Sequence, residues 1–167
     1  MKDRSNRILV LGVGNDIQQD VGIPFKLTED LQDILKTVSI DFENIFVGGL
    51  ELLEYMNGYK GVVFIDTIKT AEGVPGRVHL FTVENYRETL HLSCRHDVSF
   101  HMSLEIGNTL GFNITDEILI IGIEILEDLE FGAVLSKDLN SHYPDILSQV
   151  SNYVDEFIRR ILISTSL

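Results

Sequence analysis

The chain has 167 residues, long enough for one domain with one substantial core. Apolar residues make up 44% and charged residues 23%, which excludes a disordered or collagen-like chain. The formal net charge of −13 argues against nucleic acid and against an anionic membrane, both of which need basic patches. It reads first as a solvated acidic surface and also suits a basic partner.

No apolar run approaches the roughly 20 residues that cross a bilayer; the longest, Ile8–Val13 and Ile118–Ile123, have the length of buried strands. Residues 1–7 are charged and lead into a strand without a signal-peptide pattern. The single cysteine, Cys94, cannot form an internal disulfide, which fits a reducing compartment. The expectation is a soluble, cytoplasmic monomer with one domain over residues 1–167. Cys94 stands near His96, a spacing that raises a thiol nucleophile, but a lone cysteine is read here as a small hydrophobe.

In chain order, Ile8-Leu-Val-Leu-Gly-Val13 is continuous and β-rich, as a strand buried on both faces requires. Residues 21–36 predict a helix with Leu27, Leu31, Ile34 and Leu35 on one stripe and Pro24 in its first turn. A strand over 42–47, a short helix over 50–56 and the buried strand Val62-Val-Phe-Ile-Asp66 follow. Gly73-Val-Pro-Gly76 then turns into a strand over 77–82, and 83–90 reads as a short helix. Asp97 is taken as the N-cap of a helix with Phe100, Leu104, Gly107 and Leu110 on one face. Residues 118–123 give the last buried strand. The final helix is expected to start near Pro144 and reach about residue 162, turning Leu147, Val150, Val154, Phe157 and Ile161 to the core. Alternating strands and helices predict a three-layer α/β/α fold with a mixed, mostly parallel sheet of about five strands. The 77–82 strand is the antiparallel candidate, because its connection is tight.

In such folds ligands bind beyond the carboxyl ends of the strands. Two features fall there. Gly12-Val-Gly14-Asn15 looks like the start of a dinucleotide fingerprint, but Ile17 stands at the third glycine position. A nucleotide-binding enzyme is therefore the weakest function considered, and the glycines read as a tight turn tolerant of φ > 0. Asp66 closes the third strand, where an acid either caps the following loop or carries chemistry. His96 sits just before a helix start, where the dipole disfavours its charged form. A neutral imidazole can bind a divalent metal. His79, His91, His101 and His142 are read as surface or structural residues. Glu124, Glu127, Asp128 and Glu130 read as a solvated acidic loop, placed where it could meet a basic peptide.

Taken in order, these segments resemble the hydrogenase maturation proteases over nearly the whole chain. Ile8-Leu-Val-Leu-Gly-Val-Gly-Asn15 is similar to their opening, and Ile65-Asp66-Thr-Ile68 followed by Pro75-Gly76 to their second motif. Ser93-x-x-His96-x-x-Ser99-Phe100 resembles the block that supplies a histidine. Gly122, then Gly132-Ala-Val-Leu135-Ser136 and an amphipathic terminal helix, resembles the closing section. The resemblance implies an endopeptidase that removes a C-terminal extension from the large-subunit precursor of a [NiFe] hydrogenase after nickel insertion. It implies that two carboxylates and one histidine bind the metal, with nickel recognised within the precursor and another divalent ion also possible. It carries Asp66 and His96 onto that ligand set, and a mixed oxygen and nitrogen set suits a borderline divalent ion.

The sequence departs from the family at the first carboxylate. Where the family has an acidic pair, this chain has Asp20 and Val21, and Val21 cannot coordinate anything. Pro24 replaces a usual glycine, and Val47 precedes Gly48-Gly49 where an acid is common. Asp20 is one candidate for the vacant position, although adjacent helical side chains point about 100° apart. Asp16 or Glu51 are alternative donors. A third possibility is a relative with a degraded site that binds a metal-loaded precursor without cleaving it. The expected site is Asp66, His96 and Asp20, both as metal ligands and as catalytic residues.

Overall fold

The computed structural model describes residues 3–36, 39–46, 48–71, 73–86, 100–126 and 128–163. Five strands, β1 (Ile8–Val13), β2 (Ile40–Ile45), β3 (Gly61–Ile68), β4 (Val78–Phe81) and β5 (Ile118–Glu124), form one sheet in the order β2-β1-β3-β5-β4. All neighbours are parallel except β4, which runs antiparallel to β5. The described helices are α1 (Ile23–Ile34), α2 (Leu52–Met56), α3 (Phe100–Thr109) and α4 (Lys137–Ile163). The expected α/β/α architecture is the one observed. None of the described helices is long and apolar enough to cross a membrane.

The central strands are apolar throughout because they are covered on both faces. Their side chains alternate. Ile8, Val10, Val63, Ile65, Ile121 and Ile123 join a core with α1 and α4. Leu9, Leu11, Val62, Phe64 and Ile120 join a second core with α2 and Phe100 of α3. Every residue of β1 and β3 is buried.

Several boundaries differ from the sequence reading. β2 lies two residues earlier than expected, and α1 is preceded by a single 3-10 turn over Asp20–Gly22. Ile34 is exposed, since α1 ends there and its stripe has turned away from the sheet. Leu110 follows the last residue of α3 and is exposed. Residues 83–86 form a turn rather than the start of a helix, and residues 87–99 lie outside the described structure, taking with them His91, Cys94, His96 and Asp97.

The largest correction concerns α4, which starts at Lys137 and carries Pro144 inside it. Proline costs the helix one N–H and crowds the preceding turn, so Pro144 looks like a boundary in the sequence. The start is fixed instead by Ser136, whose Oγ accepts the Leu139 N–H at 3.3 Å as an N-cap does. Burial of Leu139, Tyr143, Ile146 and Val150 on the same stripe holds the early turns to the sheet.

Gly12 and Gly14 also have a different reason from the expected one, because neither has positive φ. They are glycines because the chain passes too close for a side chain. A Cβ on Gly12 would lie 2.4 Å from Asn44 Oδ1, and one on Gly14 would lie 2.4 Å from the Val21 carbonyl. The positive-φ glycines of this edge are Gly49, after β2, and Gly73 and Gly76, in the turn before β4. A Gly14→Ala variant should lose about 1–3 kcal/mol by overpacking, read as a lower urea midpoint with an unchanged m-value.

Candidate active site

β3 positions Asp66. With side chains alternating, Val62, Phe64, Asp66 and Ile68 share the face that meets α2 and α3, and Asp66 is fully buried there. Two residues before it, Phe64 packs edge-on against Phe100 at the start of α3, with ring centroids 5.2 Å apart. A carboxylate in such surroundings needs hydrogen bonds to stay charged. Asp66 Oδ1 accepts the Thr67 N–H at 2.7 Å. β3 does not end at Asp66 but continues to Ile68, so the acid lies inside the last stretch of the strand.

The register then sets a row across three strands. Asp66 faces Gly122 of β5, and Gly122 faces His79 of β4, so Asp66 and His79 project from the same side with a bare glycine between them. A Cβ on Gly122 would come within 2.9 Å of Ile68 and 3.1 Å of Phe81, so these two side chains lean over the gap.

Next on that face is Glu124, which the sequence reading took for a solvated loop residue. It is the last residue of β5 and is fully buried. One carboxylate oxygen accepts the Thr70 hydroxyl, and the other meets His79 Nε2 at 3.1 Å. Its main chain also accepts the Gly76 N–H at 2.8 Å and donates to the Arg77 carbonyl at 2.9 Å. His79, expected at the surface, is half-buried and stacks on Phe81. Glu124 thereby fastens the connection from β3 to β4. The missed signal was phase: Glu124 is in step with Ile120 and Gly122, hence on the same face of the sheet.

Burial pushes the Glu124 carboxyl up, but hydrogen bonds from Thr70, from His79 and from the Val74 N–H outweigh it, and the net shift is downward. His101 and His142 are exposed, as expected.

Asp20 lies in the connection after β1 and is buried. Its Oδ1 accepts the Ser136 N–H at 2.7 Å, tying this connection to the start of α4. Val21 beside it is buried in the α1/α4 core. Asp16 and Glu51, the alternative donors, are exposed. The structure thus brings Asp20 and Asp66 to the carboxyl edge of adjacent strands, while His96 lies outside the described residues. Among the described residues, no three His, Cys, Asp or Glu side chains converge as a metal-ligand group. Asp20 has one oxygen committed to Ser136, so a cation would meet its other oxygen. Carboxylates of this kind can hold a divalent ion or take a proton.

The chain is a three-layer α/β/α protein with a mixed five-stranded sheet and a buried acid near the carboxyl end of β3. More narrowly, the fold is that of the hydrogenase maturation proteases. The hydrogenase maturating endopeptidase HybD of E. coli superposes with a TM-score of 0.69 at 22% identity, covering 90% of this chain and 93% of its own. A hydrogenase 2 maturation peptidase from a Thaumarchaeota archaeon gives 0.60 at 25% identity, covering 89% and 97%. The [NiFe] hydrogenase maturation protease HybD of Thermococcus kodakarensis gives 0.58 at 21%, covering 88% and 98%. No model of a known protein family matches the sequence, and no curated protein matches it.

Because the Glu124 carboxyl titrates below its ordinary value of 4.5 when folded, its contribution is complete above about pH 5 and is lost as pH falls through the folded value. Glu124→Gln should lower stability at pH 7 and flatten the loss between about pH 5 and pH 3, measured by urea unfolding across that range. An acid limb unchanged by the substitution would contradict the role given to Glu124.

Proposed function

We propose that the chain is a processing endopeptidase that removes the C-terminal extension of a [NiFe] hydrogenase large-subunit precursor after nickel insertion. The observation that carries this reading is the buried Asp66, held at the carboxyl edge of β3 in the fold shared with maturation proteases. In this reading Asp66, His96 and Asp20 contact the nickel of the precursor, which belongs to the substrate, and the protein works in the cytoplasm as a monomer. His96 precedes Phe100 by four residues in the sequence, a tether of at most about 14 Å. Phe100, the first described residue after it, packs on Phe64, two residues from Asp66 on the same face, and this supports bringing the two into one site. Asp20 contributes the oxygen that Ser136 does not occupy. Held by these residues, the precursor's nickel would supply Lewis-acid chemistry, polarising a scissile carbonyl or acidifying a water. The carboxylates' part is to orient the nickel-bearing segment and exclude competing positions.

A second reading is favoured by Val21. Its buried, apolar side chain occupies the position where the family has a carboxylate, and a non-catalytic chain that binds the metal-loaded precursor would tolerate that change. One experiment separates the two. Incubated with nickel-loaded precursor, the wild-type chain should release the C-terminal peptide. Asp66→Ala and His96→Ala should each slow release by about 100-fold or more, the loss typical of a removed transition-state contact. A stable complex without cleavage would establish the binding reading instead, and cleavage at the wild-type rate by both variants would refute the proposed site.

A further inference from the structure

The carboxyl edge carries a second feature, its unburied apolar side chains. Twelve large apolar residues are exposed among those described, and eight of them lie in connections that leave the carboxyl ends of the parallel strands. Ile17 follows β1, Phe46 follows β2, and Leu129, Phe131 and Val134 follow β5. Scattered singly, such residues need no explanation. Eight of twelve at one edge is a concentration that favours an interaction surface there.

The connections that carry Ile17 and Phe131 are tied to each other. Gln18 and Phe131 form a β-bridge between the two connections, flanked by Gln19 N–H to the Glu130 carbonyl and Gly132 N–H to the Ile17 carbonyl, both at 3.0 Å. The Gln18 amide adds a bond of 2.9 Å to the Asp128 carbonyl. Ile17 and Phe131 nevertheless remain 60% and 77% exposed. A laced backbone that holds apolar side chains in water is organised for contact in advance.

Beside the bridge lies a cavity of about 390 Å³ whose walls include Phe25, Val134 and Leu135, with Asp16 and Glu29 also lining it. The bounding segments 16–30 and 128–140 hold seven carboxylates and two lysines. One of those lysines, Lys26, is spoken for by Asp30 at 3.7 Å and by the Tyr143 ring. Nucleic acid and anionic lipid would be repelled, and a second copy of the chain would set one acidic rim against another.

We propose that this edge docks a peptide segment in which basic residues alternate with large apolar ones, contributed by the polypeptide that the Asp66 site acts on. The proposal rests on the reading that this site serves a polypeptide, and it adds the chemistry by which that polypeptide is held. Apolar side chains of the segment cover Phe131, Val134 and the cavity wall, while its cations meet Asp16 and Glu29.

The test uses the full chain and a short fluorescent peptide interleaving arginine and leucine, with a second peptide in which glutamate replaces arginine. Fluorescence anisotropy should show the basic peptide binding, weakening as salt rises to about 0.15 M, and the acidic one not binding. Phe131→Ser combined with Val134→Ser should weaken binding about tenfold or more, with an unchanged Tm because both side chains are exposed. Asp16→Asn with Glu29→Gln should reduce the salt dependence. Equal binding of the acidic peptide, or unchanged affinity in the Phe131/Val134 variant, would overturn the proposal. Variant-sensitive peptide binding by a chain that fails to process precursor supports the docking surface and refutes only the endopeptidase reading.

Discussion

The constraint on which the rest depends is burial of the parallel strands on both faces. A strand covered by α1 and α4 on one side and by α2 and α3 on the other has no room for a solvated polar group. Any carboxylate within it must be hydrogen-bonded or be expelled to an end. Asp66 and Glu124 are the two acids in these central strands that meet this demand. Each is fully buried, and each sits near the carboxyl end of its strand. Asp66 is held by a main-chain N–H, and Glu124 by a hydroxyl, an imidazole and main-chain groups around it.

From that constraint the edge assembles in two halves. Glu124 fixes the connection from β3 to β4, which begins just past the strand end that carries Asp66. Asp20 fixes the connection from β1 to α1 by accepting the Ser136 N–H at the start of α4. The connections after β1 and β5 are then laced through the Gln18–Phe131 bridge. In the described part of the edge, an acid is set into the floor between tied connections, with apolar and acidic side chains around them.

Much of the fold was legible because its signal is local. Continuous apolar runs located β1, β3 and β5, and the repeat of Val150, Val154, Phe157 and Ile161 located α4. What the sequence concealed depended on contacts between distant segments. Pro144 looks like a helix start until Ser136 is seen capping the helix about two turns earlier. Gly12 and Gly14 look like turn residues until Asn44 and the Val21 carbonyl are seen occupying the space of a side chain. Glu124 and His79 look like surface residues until the register of β4 on β5 puts them together. Asp66 was legible as an acid at the end of a buried run. Asp20, singled out for its place beside Val21, has a structural task that no spacing rule reveals.

The central claim is that Asp66 and His96 share one metal-contacting site at this edge. Anomalous diffraction from crystals soaked with nickel or cadmium reads it directly. A peak is expected about 2.0–2.5 Å from an Asp66 carboxylate oxygen and an imidazole nitrogen of His96, in the range of carboxylate and imidazole ligation, with Asp20 presenting its second oxygen. A well-occupied peak bound by other residues, with Asp66 and His96 apart, would contradict it.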